Sequence, residues 1–345
     1  MVNRDIVVIG ASAGGVSALK QLVKGLPPDF RGTIFIVLHI PPYTQTQLPS
    51  ILSRSGPLEA LLAKDEEAFL PGKIYVAPND HHLLLQHGKM LVKRGPKENR
   101  FRPSIDALFR SAAYEYGARV VGIILSGILA DGASGLWTIK RQGGIAIIQT
   151  LEDAEQSQLP ENVLEYVRPD YNLPAAEIGP LIGGIAKPAP DDEKYKFSEE
   201  ELKRLEQEVV IASSEKGFDM GVINMGELTP FTCPECHGTL VKLVEDNIIR
   251  FRCHTGHGYT ASSLLAQVSE SVEEMLWQSF RAVEEMQMLQ TDIATHLENA
   301  GNREFAALFR KSAENTTKRG LIIRDCLYRQ QEFNETVQLK QAVEQ

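Results

Sequence analysis

The chain has 345 residues, 43% of them hydrophobic, enough to bury a sizeable core in two domains or in one large domain with an appendage. No apolar run reaches the ~18 to 20 uncharged residues that cross a bilayer, and no basic stretch followed by an apolar signal segment opens the chain, so a cytoplasmic location is expected. The net charge of −9 is uneven: residues 1–190 hold 19 Lys and Arg against 18 Asp and Glu, residues 191–345 hold 17 against 27. An acidic C-terminal part argues against broad nucleic-acid binding, which needs clustered positive charge. Of the four cysteines, Cys233, Cys236 and Cys253 share a short window, which points to a metal site rather than a disulfide scaffold.

Over the first ~185 residues short apolar runs alternate with amphipathic stretches, the pattern of βα repeats on a largely parallel sheet. Strands are expected at Ile6–Ile9, Thr33–Leu38, Lys73–Ala77, Val120–Leu125 and Gly144–Gln149, and a tight hairpin pairs Leu83–Gln86 with Met90–Lys93. Helices are expected at Val16–Lys24, Ser104–Tyr116, Gly132–Gln142 and Glu161–Val167. The proline- and charge-rich stretch Lys187–Phe197 reads as a linker, and Ser198 opens a capped helix with acidic residues in its first turn. A compact cysteine-bearing module spans about Phe231 to Tyr259. Beyond Ser262 the chain is helical, with Leu264, Leu265, Val268, Val272, Met275 and Leu276 at helical spacing and a turn at Asn299–Asn302, so an antiparallel helical hairpin is expected. The boundaries are 1–187 for the α/β domain, 188–230 for linker and helix, 231–260 for the cysteine module and 261–345 for the hairpin. The fold class is thus α/β, a doubly wound, mostly parallel sheet with a β-hairpin, followed by a small zinc ribbon and a helical hairpin.

The stretch GASAGG, Gly10–Gly15, lies between a strand and a helix, where a dinucleotide loop would stand. Its middle glycine, however, is Ser12, whose side chain would hold a pyrophosphate away from the backbone. The second strand ends in His39, not in the acid that binds a ribose. Both departures weaken the reading as a nucleotide-dependent oxidoreductase and favour nucleophile chemistry. A serine hydroxyl needs a base, and the base needs a carboxylate to orient it. Ser12, His39 and Asp131 each follow a strand, and the C-terminal ends of parallel strands share one edge of a sheet, where ligands gather. The plainer readings are a tight turn for GASAGG, a structural histidine for His39 and a helix N-cap for Asp131.

Five blocks carry a resemblance: IGASAGG at 9–15, HIPP at 39–42, LPGKIYVAPNDHH at 70–82, RPSIDALF at 102–109 and SGILADGASG at 126–135. In this order they resemble the catalytic domain of the CheB protein-glutamate methylesterases of bacterial chemotaxis, across residues 1 to about 185. The resemblance implies Ser12 as nucleophile, His39 as base and Asp131 as its orienter. The reaction it implies is hydrolysis of glutamate γ-methyl esters on a methyl-accepting chemoreceptor or related signalling protein, with glutamine deamidation by analogy, and with no cofactor for catalysis. The Ala13 amide at the head of the helix is one oxyanion donor to expect, and the Ile128 backbone is a second by resemblance. Two departures stand out. SGILA replaces the TGMG of many members, and the catalytic strand begins at residue 5, where the family often has a preceding receiver domain. Control by phosphorylation of a receiver within this chain is therefore not expected.

CPEC at 233–236 followed by RCHTGH at 252–257 supplies the ligands of a structural zinc ribbon: Cys233, Cys236, Cys253 and His257, with His254 as the alternative fourth. The motif resembles extensions that follow some receiver-less CheB-like domains. Four protein ligands leave no open position, so the zinc is expected to be structural. Lys242, Arg250 and Arg252 give little positive charge, so the module reads as a docking surface for a protein such as a kinase or regulatory partner; membrane contact would be indirect, through receptors. Cys326 reads as a small buried hydrophobe at core spacing with Leu321 and Ile322. The competing reading of the whole chain is a catalytically silent adaptor that keeps the methylesterase fold.

Overall fold

In a computed structural model the chain divides into two compact units, Met1–Leu264 and Leu265–Gln345. The structure describes residues 4–40, 43, 46–128, 131–185, 197–214, 221–245 and 248–343, with side chains to residue 330. The expected linker at 187–197 lies almost wholly outside these residues, as do Pro41, Pro42, Leu129 and Ala130 of the matched blocks.

The first unit is built on a seven-stranded parallel sheet of β1 (Ile6–Ala11), β2 (Thr33–Leu38), β3 (Glu59–Leu62), β4 (Lys73–Val76), β7 (Val120–Ile124), β8 (Ile145–Gln149) and β9 (Tyr171–Leu173), in the order β3-β4-β2-β1-β7-β8-β9. The central strands are apolar throughout because both faces are covered. Alternation along β1 sends Val7, Ile9 and Ala11 into one core and Ile6 and Val8 into the other. Helices α1 (Gly15–Lys24), α2 (Leu48–Ser55) and α6 (Ala175–Ile185) cover the first face. The second is covered by α3 (Ile105–Tyr116), α4 (Ala133–Arg141), α5 (Gln158–Leu164) and the hairpin of β5 (His82–Gln86) and β6 (Lys89–Lys93). The hairpin turn is His87–Gly88 with φ of 49° and 75°, the mirror-image two-residue turn that suits twisted strands.

Helix α7 (Glu199–Ser213) starts at the expected cap, with Ser198 and Glu201 satisfying each other's backbone amides. It is not a spacer. Ile211 and Ala212 are buried, Ala212 beside Leu84, Leu91 and Ala107 of the hairpin and α3. The cysteine module is an antiparallel sheet of β10 (Glu227–Thr232), β11 (Thr239–Glu245), β12 (Ile248–Cys253) and β13 (Gly258–Thr260). It belongs to the same compact unit as the α/β domain.

Five charged side chains explain that union. Arg250 and Arg252 of β12 are buried, Arg252 completely, and meet Glu208 of α7, Glu98 of the loop before α3, and through these Arg110 of α3. Burial alone would push the Glu98 and Glu208 carboxyls up, but the surrounding arginines hold both below the usual carboxylate range. Buried in this way, Arg250 and Arg252 add no positive charge to the surface of the module.

The second unit continues α8 (Ala261–Asn299) and holds α9 (Arg303–Val343), joined by a turn in which Gly301 has φ 83°. Ala294, Ala306, Ala313, Thr316 and Leu327 form the buried side, and Gln290 hydrogen-bonds Ser312 and Thr316 across the hairpin. The expected stripe is displaced: Leu264 is buried, but Leu265, Val268, Val272 and Met275 are exposed. Cys326, with Leu321 and Ile322, is also exposed, contrary to its reading as a buried hydrophobe. Two apolar faces share these helices, and spacing alone does not say which of them faces the neighbouring helix.

Candidate active site

Ser12 is the first residue after β1 and His39 the first after β2. The two strands pair in register up to Ala11 and Leu38, and the His39 amide donates to the Ala11 carbonyl at 3.0 Å, so the two residues leave the sheet side by side. The strand β7 borders β1 on its other edge, and its continuation brings Ser126, Gly127 and Asp131 to the same end. Here the chain order reverses direction across the sheet, where open parallel sheets bind ligands.

The serine turn is held from β7. The Ser12 amide donates to the Ser126 carbonyl at 3.0 Å, the Ser126 hydroxyl donates to the Ala13 carbonyl at 2.8 Å, and the Gly15 amide closes the turn onto the Ser12 carbonyl at 3.0 Å. Gly14 has φ 74°, and a Cβ there would come within 2.6 Å of the Ser126 hydroxyl, so this position requires glycine. Ala13 and Ile128 are exposed beside the turn.

His39 Nε2 lies 3.0 Å from Asp131 Oδ2, with both side chains buried. Phe101 stacks on the imidazole, ring centroids 3.6 Å apart and planes 7° from parallel, which fixes the ring plane. The Asp131 carboxylate is surrounded by donors: the Ile105 amide at 2.6 Å on Oδ2, and Asn99 Nδ2 at 3.0 Å, Ser104 Oγ at 2.9 Å and the Asp106 amide at 3.3 Å on Oδ1. These are the first amides of α3 with its capping serine, an anion site made by a helix N-terminus. Asp131 therefore does not cap the helix that follows it; Gly132, with φ 108°, occupies that position without a side-chain bond.

The donor census fixes the tautomer. Every other described group on Asp131 is a donor, so the carboxylate accepts from His39, and in the neutral imidazole the proton resides on Nε2. Nδ1 is left with a lone pair; it is buried and, among the described residues, without a hydrogen-bond partner. The Ser12 hydroxyl does not close onto it in this structure. Asp106, packed beside Asp131, has its carboxyl pushed up to about 7 by burial and then by the Asp131 charge. It accepts from the Gly135 amide at 2.6 Å and from Asn99 Nδ2 at 2.9 Å.

Sequence spacing did not single out Asn99, Phe101, Ser104 or Asp106 as site residues. The available signal was Ser104 at the head of a helix, since such a terminus attracts a carboxylate. The remaining blocks brace this loop. Arg102 grips Asp80 Oδ1 at 2.9 and 2.7 Å and donates to the Gly95 carbonyl at 2.7 Å. His82, whose pKa burial pushes down, accepts from the Ser104 amide at 3.2 Å and donates to the Pro96 carbonyl at 2.8 Å.

In the cysteine module the ligand atoms of Cys233, Cys236, Cys253 and His257 all lie within 4.8 Å of one another. Cys236 Sγ and Cys253 Sγ are 3.6 Å apart, and His257 Nδ1 is 3.6 and 3.5 Å from Cys233 and Cys253 Sγ. Tetrahedral zinc with bonds of about 2.0 to 2.3 Å would set such edges at roughly 3.5 to 3.8 Å, so the donors fit. His254 is not in this cluster; its ring packs against Gly238.

Residues 7–182 match the family described as CheB methylesterase. A relative from Leptospira interrogans, provisionally named as a protein-glutamate methylesterase/protein-glutamine glutaminase, is 37% identical over 180 residues, 52% of this chain and 93% of its own length. A Thermotoga maritima protein-glutamate methylesterase/protein-glutamine glutaminase is 35% identical over 181 residues, which cover 51% of this chain and 53% of that protein. The crystal structure of the Thermotoga maritima CheB methylesterase catalytic domain superposes with a TM-score of 0.51 at 33% identity, covering 53% of this chain and all of that one. The match thus accounts for the N-terminal half, and several relatives, such as that of Thermotoga, extend well beyond the shared part. With a parallel sheet, a serine turn and a histidine–aspartate pair at its C-terminal edge, and a family match over residues 7–182, this chain belongs to the CheB methylesterase family.

Proposed function

We propose that the chain hydrolyses γ-methyl esters of glutamate side chains on a methyl-accepting chemoreceptor or related signalling protein, in the cytoplasm. The observation that carries this reading is His39, with Nε2 committed to Asp131 and the Nδ1 lone pair buried and unpartnered among the described residues, one strand away from Ser12. Ser12 Oγ attacks the ester carbonyl as His39 Nδ1 takes its proton, and Asp131 stabilises the imidazolium. The Ala13 and Ile128 backbone amides face the oxyanion. His39 returns the proton to the departing methoxide, and a water deprotonated by His39 then cleaves the acyl-enzyme. Here Nδ1, not Nε2, serves the serine, the reverse of the chymotrypsin arrangement. The same steps release ammonia from a glutamine amide, in keeping with the double name of the relatives.

The ligand set of the C-terminal module suits one structural zinc held by Cys233, Cys236, Cys253 and His257. Bound zinc would cross-link the two turns and take no part in ester hydrolysis.

Among the described residues no helix is long and apolar enough to cross a membrane. Incubation of the full chain with methylated receptor and measurement of methanol tests the activity. Release above the spontaneous rate is expected; no release from any of a panel of methylated receptors would contradict it and favour the silent adaptor.

A further inference from the structure

Asn99 lies between the candidate catalytic aspartate and the cysteine module, and all four hydrogen-bonding positions of its side chain are used. Nδ2 donates to Asp131 Oδ1 at 3.0 Å and to Asp106 Oδ2 at 2.9 Å; Oδ1 accepts from the Thr260 amide and the Ser263 hydroxyl, both at 2.8 Å. The amide cannot be turned over, because the Thr260 N–H must face an acceptor and an ionised Asp131 must face a donor. Thr260 ends β13 and Ser263 lies in the first turn of α8, so both partners belong to the C-terminal extension. The residue is buried, with φ 48°.

Its neighbours are joined to the same module. Lys97 Nζ pairs at 3.0 Å with Glu235, which stands between Cys233 and Cys236, and the Lys97 carbonyl accepts from the Gly258 amide at 3.2 Å. Glu98 pairs with Arg252, one residue before Cys253, and the Asn99 amide donates to the Gly258 carbonyl at 2.8 Å. Three consecutive residues of the methylesterase domain are thus bound to the module, and the third reaches Asp131.

We propose that Asn99 is a positioning residue through which the C-terminal module sets the orientation of Asp131, and hence of His39. By holding Oδ1, Asn99 fixes the rotation of the carboxylate that points Oδ2 at His39 Nε2. Thr260 and Ser263 hold Asn99 in turn, so a shift of the module changes the His39–Asp131 bond without touching substrate. The extension is therefore part of the working catalytic unit rather than an independent docking appendage. This rests on the proposed hydrolase reading for its kinetic consequence, but the hydrogen bond itself can be followed without turnover.

The test uses the full chain, with Asn99→Ala, Ser263→Ala and the double variant, each checked for folding by circular dichroism. One readout is the downfield proton resonance of the His39 Nε2–H···Asp131 bond, assigned by its loss in His39→Gln. It should shift or broaden in Ser263→Ala and more so in Asn99→Ala. The second is methanol release, where kcat should fall about tenfold or more in Asn99→Ala, less in Ser263→Ala, with KM changed by less than about threefold. Ser263→Ala should have no further effect in the Asn99→Ala background, because both act along one path. An unmoved resonance in a folded Ser263→Ala, or full additivity of the two substitutions, would overturn the proposal. A chain that shows the resonance shifts but hydrolyses no ester refutes the hydrolase reading and leaves the coupling standing. Should Asn99→Ala not fold, the Ser263→Ala resonance alone decides.

Discussion

Replacing Asp131 by asparagine is expected to lower kcat for ester hydrolysis by roughly 10³- to 10⁴-fold, the scale on which a serine hydrolase loses activity when its orienting carboxylate becomes an amide. The reason is visible in the donors around it. Oδ2 accepts from His39 Nε2 and Ile105 N, and Oδ1 accepts from Asn99, Ser104 and the Asp106 amide. An asparagine NH₂ must replace one of these oxygens and will face at least two donors wherever it points. If it faces His39, the imidazole must accept at Nε2 and carry its proton on Nδ1, where the serine proton has to go. If it faces the α3 terminus, buried amides lose their acceptor, and each unsatisfied group costs about 1–3 kcal/mol. Steady-state kinetics on methylated receptor, with unfolding measured in parallel, separates the two effects; a folded variant that keeps more than a tenth of the activity would contradict the assigned role.

The second large effect concerns the metal. Purified protein is expected to contain one zinc per chain, and Cys233→Ser, or treatment with a strong chelator, should remove it. Structural zinc binding in small domains carries apparent free energies on the order of 10 kcal/mol, and the module's own apolar cluster is small: Cys233, Leu240, Phe251, Cys253, Tyr259 and Leu264. Loss of the ligand turns would spread along β12, where Arg250 and Arg252 sit two residues apart just before Cys253. Their displacement leaves Arg110 as the remaining counter-charge for the buried Glu98 and Glu208, and losing one partner of a buried pair costs about 3–5 kcal/mol. The unit should therefore lose stability beyond the module, with proteolytic sensitivity appearing in both the 231–260 segment and α7. A metal-free wild type that is fully folded and as stable as the zinc-loaded form would reject the site.

Much of the α/β part was legible because its strands are continuous apolar runs, buried on both faces, with a glycine-rich turn after the first. What escaped are elements whose local signal is weak. Edge strand β9 has only three residues, two of them exposed, and β3 mixes exposed and buried positions. Helix α6 contains Pro180 and three glycines, and it forms because small residues let it approach α1 closely: a Cβ on Gly179 would lie 2.2 Å from the Leu22 carbonyl. At the site, Ser12, His39 and Asp131 could be picked out because each follows a strand of a parallel sheet. Asn99 and Phe101 could not, since their importance comes from a loop whose path is set by Arg102, Glu98 and the distant module. The buried ion network was likewise hidden, because a charged residue in a sequence reads as surface until its partners are seen.

The most direct test is to find which side chain acts as the nucleophile. The full-length chain is incubated with a serine-directed fluorophosphonate, and the adduct is located by peptide mass spectrometry. A single adduct on Ser12 is predicted, absent from Ser12→Ala and formed at least tenfold more slowly in His39→Gln. Labelling at another residue, or no labelling of Ser12 in protein that releases methanol, would contradict the assignment of Ser12 as the nucleophile.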